Sequence, residues 1–221
     1  MIVCEIEAQG ARLRNGTEVT VRPICPNDAP RLQALFARLS SESIFFRFLG
    51  HCNELAGERA EDLANVDYQT QMAFVATHGQ GNEVKIIAVA RYALLQRNEP
   101  DLAEAAIVVE DRHQGQGLGT LLLKRLAEYA REHGIRAFLA TVHQANTRIL
   151  RFIERSGLPV ESNIDSGVWE ILVDLDTEPE CSAPRNIDDR SASSPNGVHN
   201  VAPGDEGAGG KMDKSAGYGQ K

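Results

Sequence analysis

The run Gln114-Gly115-Gln116-Gly117-Leu118-Gly119-Thr120 has the residue types and spacing that most plainly do chemistry. It follows the apolar run Ala105-Ala106-Ile107-Val108-Val109 and opens an amphipathic stretch over residues 118–133, so it reads as strand, glycine-rich loop and helix N-terminus. Such a junction leaves several backbone N–H groups unpaired in front of the positive end of a helix dipole, a combination that binds phosphate. Glycines let the backbone turn and approach a ligand without a Cβ clash. The expected ligand therefore carries phosphate. Two nucleotide readings fail on particular residues. The dinucleotide pattern G-x-G-x-x-G meets Thr120 where its third glycine should stand, and residues 135–140 supply no acidic ribose partner. A P-loop requires Gly-Lys-Ser/Thr, and the chain has Gly119-Thr120-Leu121. The spacing that is filled is Q-x-x-G-x-G, by Gln114, Gly117 and Gly119.

The flanking chain must hold this loop in place. Arg14-Asn15-Gly16-Thr17 is a hairpin-type turn that feeds an alternating strand over residues 18–22, stopped by Pro23. Asn27 or Asp28 can cap a helix that carries Leu32, Leu35, Phe36 and Leu39 at helical spacing. A short aromatic helix follows Ser41-Glu42-Ser43, and a third helix covers residues 58–65. Strands are expected at 72–77 and 84–95, separated by Gly79-Gln80-Gly81-Asn82, and a fourth strand at 103–109. Beyond the long helix come a fifth strand at 137–142, a helix at 146–155 and closing strands near 160–164 and 168–174. The order β-α-α-(α)-β-β-β-α-β-α-β-β is mixed α/β, with hairpins first and a crossover later, which disfavours a doubly wound nucleotide fold.

Composition limits the partners. The chain has 221 residues, 42% of them hydrophobic, and a formal charge of −8, which suits one soluble domain with a sizeable core. No apolar stretch approaches the roughly 20 residues of a membrane span, and the start lacks a basic, then apolar, secretory pattern. The expected setting is cytoplasmic, with no membrane and no nucleic-acid partner. Cys4, Cys25, Cys52 and Cys181 are widely spaced, so neither a disulfide framework nor a zinc site is expected. Composition shifts after Asp176: residues 177–221 are rich in Gly, Ser, Pro, Asp and Asn and read as a disordered tail. The expected organisation is an N-terminal extension at 1–16, a catalytic domain at 17–176 and the tail.

The Q-x-x-G-x-G loop resembles the acyl-CoA pyrophosphate loop of the GNAT N-acetyltransferase family. A second segment agrees: Asn146, followed eleven residues later by Gly157 and Leu158, is similar to the family's helix after its fifth strand. The resemblance covers roughly residues 17–174. Within the family the chain is most similar to bacterial protein-lysine acetyltransferases and to acetyltransferase domains joined to acyl-CoA synthetases. Their opening segments resemble V-R-P-I-x-P-x-D and S-x-E-S-x-x-x-R-F, filled here from Val21 to Asp28 and from Ser40 to Phe48. Many such relatives carry an appended synthetase or cyclic-nucleotide-binding domain; a lone catalytic domain is the expectation here. The resemblance implies a mixed, mostly antiparallel sheet, splayed in a V between its fourth and fifth strands and flanked by helices. It implies acetyl-CoA as cosubstrate, no metal and a primary amine as acceptor, favouring a protein lysine. A small-amine acceptor and a non-catalytic acyl-CoA sensor are the alternatives.

Acyl transfer to an amine makes three demands. The amine must be neutral, and with a lysine pKa near ~10.4 only about one in a few thousand is neutral at pH 7. A base of suitable pKa must therefore take a proton. The resemblance gives that role to Glu104, in the A-E-x-A segment Ala103-Glu104-Ala105-Ala106. The charge that develops on the thioester oxygen needs fixed donors. The resemblance assigns these to backbone N–H groups near Val108 or Val109, where a bulge splays the strand. The departing thiolate often meets a tyrosine seven residues after the motif asparagine, but Ile153 stands there. The cofactor contacts are then Val108, Val109, Gln114, Gly115, Gln116, Gly117, Leu118, Gly119, Thr120 and Asn146, the last also an N-cap for its own helix. Secondary candidates are His113 and Arg112 beside the loop, Lys124 and Arg125 on the long helix, and His143, Asp67, Tyr68 and the Phe45-Phe46-Phe48 cluster near the acceptor. Each of these has a plain reading as solvated or core, and Tyr129 reads as a helix-face residue.

Overall fold

Alternation of apolar side chains along Gln71–His78 sends Met72, Phe74 and Ala76 to one face and Ala73 and Val75 to the other, and all five are buried. A strand buried on both faces belongs at the middle of a sheet with helices on each side, and that is the architecture. The computed structural model describes residues 7–50, 52–96 and 99–177; most of the expected tail and the first six residues of the expected extension lie outside them. Eight strands form one sheet: β1 (Gln9–Arg12), β2 (Glu18–Pro23), β3 (Gln71–His78), β4 (Lys85–Gln96), β5 (Glu99–Val109), β6 (Ala137–His143), β7 (Val160–Asp165) and β8 (Val168–Asp174). Their spatial order is β1-β2-β3-β4-β5-β6-β8-β7, and every pairing is antiparallel except β5 with β6.

Among the described residues, five α-helices accompany the sheet: α1 (Ala29–Phe36), α2 (Ser41–Phe48), α3 (Gly57–Ala64), α4 (Leu118–Glu132) and α5 (Thr147–Arg155). Leu118, Leu122 and Leu126 recur every fourth residue on α4 and are fully buried with Met72, Phe74 and Tyr92 on one face of the sheet. On the other face α1 and α3 bury Leu32, Leu35, Phe36 and Ala60 with Val75 and Val89. The element order follows the sequence expectation, with β1 added at the front. That strand lies within the segment read as an extension and pairs with β2 across the expected Arg14-Asn15-Gly16 turn. The strands expected fourth and fifth are therefore β5 and β6.

One capping expectation is corrected. Neither Asn27 nor Asp28 caps α1 through its side chain. The fully buried Asp28 carboxylate instead accepts from Arg22 Nη1 at 2.6 Å and Nη2 at 2.7 Å, and from the Cys25 N–H at 3.0 Å. Burial pushes its pKa up, but the Arg22 and Cys25 hydrogen bonds outweigh this and hold it below the usual carboxylate value. The clamp fixes the passage from β2 into α1. Among the described residues, no helix is long and apolar enough to cross a membrane.

Candidate active site

The phosphate-binding expectation rests on unpaired N–H groups, and the loop has them. Among the described residues, the backbone N–H groups of residues 115–120 donate to no protein acceptor; the first helical bond of α4 runs from Leu121 N–H to the Gly117 carbonyl at 3.1 Å. Gly115 and Gly117 hold φ of +73° and +92°, a left-handed backbone that turns successive N–H groups outward ahead of the helix. A Cβ at Gly115 would meet nothing within 4 Å, and one at Gly117 only the Arg14 Nε at 3.9 Å. Internal packing therefore leaves the space before the loop open. Arg14 belongs to the turn after β1, and its N–H also donates to the Gln116 carbonyl at 3.2 Å. The β1–β2 turn thus brings a cation to the glycine loop, through a contact of sequence-distant segments that no local pattern encodes.

The side chain of Gln114 braces the loop. Its Nε2 donates to the Val109 carbonyl at 3.0 Å and to Ser43 Oγ at 3.2 Å, while its Oε1 accepts from Arg148 of α5. Asp111 completes the brace by accepting from the Ser40 N–H and from the hydroxyls of Ser40 and Ser43, at 2.7–2.9 Å. These hydrogen bonds keep the Asp111 carboxyl below its usual pKa in spite of partial burial, which pushes it up. Two serines of the S-x-E-S segment thus fasten α2 to the loop. Gln116 donates from Nε2 to the Arg112 carbonyl at 2.9 Å. Leu118 is fully buried, and Gly119 lies against Ile107.

The sheet opens beside this loop. β5 and β6 pair only at Leu102–Ala137, Ala103–Phe138 and Glu104–Leu139, and beyond Glu104 the two strands separate. The expected bulge near Val108 and Val109 is not how they part. Both residues stay in register with Val89 and Ala88 of β4, and the V arises from loss of the β6 partner. The six residues from Glu104 to Val109 span about 17 Å of strand, with half of their backbone polar groups facing away from β4. At the closed end Glu104 is exposed and, among the described residues, makes no hydrogen bond or ion pair. Its charge reaches Arg47 of α2, where it favours the protonated guanidinium.

The secondary candidates divide. His143, at the end of β6, meets the Phe45 ring edge-on at 5.2 Å and lies 6.1 Å from Phe46, so α2 covers one side of the opening. Phe48 packs on Phe36. Asp67 accepts the N–H groups of Gln69, Thr70 and Gln71 and serves as a turn brace, and the Tyr68 hydroxyl donates to the Ile24 carbonyl. Tyr129 is buried and donates to the Tyr68 carbonyl. His113 is buried rather than solvated, with neither ring nitrogen hydrogen-bonded. Arg112 pairs with the buried Glu110, and Lys124 stands exposed on α4 with Glu128 3.9 Å away. Arg125 lies over the Phe74 ring. The Asn146 side chain accepts from the Ile149 N–H at 3.3 Å, so it caps α5. Two groups escaped sequence reasoning as site residues, Arg47 and Arg91, which line a cavity under α2. The signal is in the sequence: Arg91 follows Val89 by two residues, on the same face of a strand that is otherwise apolar from Ile86 to Leu95.

Comparison with known proteins agrees with this geometry. The family model described as Acetyltransferase (GNAT) family matches residues 42–158, just over half of the 221 residues. An acetyltransferase of Pseudomonas aeruginosa is 34% identical over 134 residues, covering 61% of this chain and 71% of that protein. The acetyltransferase Pat of Mycolicibacterium smegmatis is 30% identical over 173 residues, and the match spans 78% of this chain but only half of that longer relative. Among solved structures, the GNAT domain of S. lividans PAT superposes with a TM-score of 0.69 at 31% identity, covering 76% of this chain and 96% of that one. A loop of free N–H groups at the mouth of a strand-splayed cleft, met in a chain with these relatives, places the protein in the GNAT family of acetyltransferases.

Proposed function

We propose that the chain transfers an acetyl group from acetyl-CoA to a protein lysine, by direct attack of the amine with Glu104 as general base. The observation that carries this reading is the alignment of six unclaimed N–H groups, on residues 115–120, with an unpaired carboxylate at the closed end of the same cleft. Acetyl-CoA supplies a thioester-activated acyl group on a long arm that ends in a pyrophosphate. The loop amides and the α4 dipole hold the pyrophosphate, with the Arg14 cation beside them. The open edge of β5 offers N–H and C=O groups along the cleft, and an N–H near Val108 or Val109 faces the oxygen that becomes negative. Glu104 takes a proton from the incoming ammonium, directly or through water, and so supplies the neutral nucleophile. No tyrosine stands on α5 to meet the departing thiolate. Proton return therefore falls to water or to Glu104 itself.

The test is Glu104→Gln, which keeps the shape and removes the base. Turnover should fall by about 10²-fold or more while the affinity for acetyl-CoA, read by calorimetry, stays at the wild-type value. Wild-type turnover in the variant would remove Glu104 from the mechanism.

A further inference from the structure

Under α2, on the same face of the sheet as Glu104, lies a cavity of about 50 Å³. Its walls are largely apolar, with Phe36, Leu55, Leu63 and Val108 among them, yet two arginines line it, Arg47 from α2 and Arg91 from β4. Among the described residues neither guanidinium has a carboxylate within ion-pair distance. Arg91 makes one contact at the limit of a hydrogen bond, from Nη1 to the Leu63 carbonyl at 3.5 Å, which leaves most of its five donors unused. Arg47 lies over the Phe48 ring, 5.1 Å from its centroid, and the exposed Arg59 approaches the same ring at 5.5 Å. Burial, with the charge of Arg47 acting in the same direction, lowers the pKa of Arg91 to about 10. Burial likewise lowers that of Arg47, with Glu104 opposing and Arg59 adding to the fall. Two like charges held near one another, each half-buried, cost stability, and only the more distant charge of Glu104, without an ion pair, offsets part of that cost.

Register places the pair next to the catalytic carboxylate. Arg91 is opposite Ala106 and Ala93 opposite Glu104, so Arg91 and Glu104 are diagonal neighbours on one face of the β4–β5 ladder. We propose that Arg47 and Arg91 form a carboxylate-binding subsite of the acceptor pocket, so that the preferred acceptor carries a carboxylate close to its reacting amine. Guanidinium groups match the two oxygens of a carboxylate in a planar, two-bond geometry that lysine could not supply. The cavity has room for more than a single water, enough for a carboxylate group. The amine then lies toward Glu104 while the carboxylate is held deeper. Two sources present this chemistry: an acidic side chain within a residue or two of an acceptor lysine, and the α-carboxylate of a free amino acid. The inference builds on the proposed amine acetylation and narrows its acceptor.

The experiment has two arms, each run on the full chain as wild type, Arg47→Gln and Arg91→Gln. In the first, melting temperature is measured with acetate and with its neutral isostere acetamide at equal ionic strength. Acetate should raise the wild-type melting temperature and acetamide should not, and the difference should vanish in both variants. Each variant should melt at or above the wild-type temperature without added anion, because one member of a repelling pair is gone; a structural arginine would give a fall. In the second arm, acetyl transfer is compared between lysine peptides with Glu or Gln beside the lysine, and with free amino acids. Wild type should favour the Glu peptides by about tenfold or more in kcat/KM, and the ratio should approach one in the variants. Better turnover of free amino acids would assign the carboxylate to that source. Equal shifts from acetate and acetamide, or a Glu preference that survives in both variants, would overturn the subsite. Acetylated peptides without a Glu preference would sink the subsite and leave the acetyltransferase reading standing. An acetate shift that needs Arg91, with no acceptor turned over, would keep the subsite and sink the acceptor reading.

Discussion

At Gly117 the backbone sits at φ +92°, and the position a side chain would fill faces open space bounded only by Arg14. A side chain there is penalised twice. The left-handed conformation costs a non-glycine residue about 1–2 kcal/mol, and on the proposed reading the added atoms stand where the phosphates of acetyl-CoA would approach. Gly117→Val should therefore lower the melting temperature modestly and abolish measurable acetyl-CoA binding in calorimetry; unchanged affinity would refute the loop's role. The glycine pattern was legible because phosphate binding by a loop needs glycine at fixed positions. The task of Gln114 was not, because its side chain braces Val109 and Ser43, partners that only the folded chain brings to it. Arg91 was visible as a charge in an otherwise apolar strand, but what it faces depends on α2, more than forty residues earlier in the chain.

Elements are held by buried charges whose removal has a definite sign. Asp28 is fully buried with two bonds from Arg22, at the join of β2 and α1. Asp28→Ala leaves that guanidinium without its partner, so chemical denaturation should show a loss of about 3–5 kcal/mol. A loss under 1 kcal/mol would mean that the clamp does not fasten the join. The V-R-P-I-x-P-x-D match is thus a structural signature, and it locates the fold without naming a catalytic group. His113, in the turn between β5 and α4, acts through protons. Burial lowers its pKa from 6.5; Glu110 opposes that fall, and Arg112, His78 and Arg38 add to it. The unfolded chain therefore takes up this proton at a higher pH than the folded one, and folding stability falls as pH drops below about 6.5. His113→Phe should flatten that part of the melting-temperature profile, and an unchanged slope would show that His113 does not couple to folding. Periodicity revealed the order of helices and strands from residue 18 onward. It missed β1, because Gln9–Arg12 contains a glycine and no apolar alternation and is a strand by virtue of pairing with β2.

At the scale of the whole molecule, the cleft exists because one sheet is made of two parts joined by three residue pairs between β5 and β6. Opening those strands exposes a backbone edge, and the protein stabilises the opening from outside. Ser40 and Ser43 fasten α2 to Asp111, and the Phe45 and Phe46 rings meet His143 across the gap. None of these contacts is local in sequence, which is why the V could be expected from family resemblance but its cause could not be read from residue patterns. The same distance explains the expected bulge that the β4–β5 register does not contain. The glycine loop, the open edge and Glu104 then lie along one cleft, and the central claim is that this cleft transfers acetyl to lysine. The most direct test is thiol release from acetyl-CoA by the full chain, with and without lysine-bearing peptides, with product masses read by mass spectrometry. Peptide-dependent release with acetyl on the lysine Nζ is the predicted result. Tight acetyl-CoA binding with no acceptor-dependent release would contradict the claim and leave a binding protein in place of an enzyme.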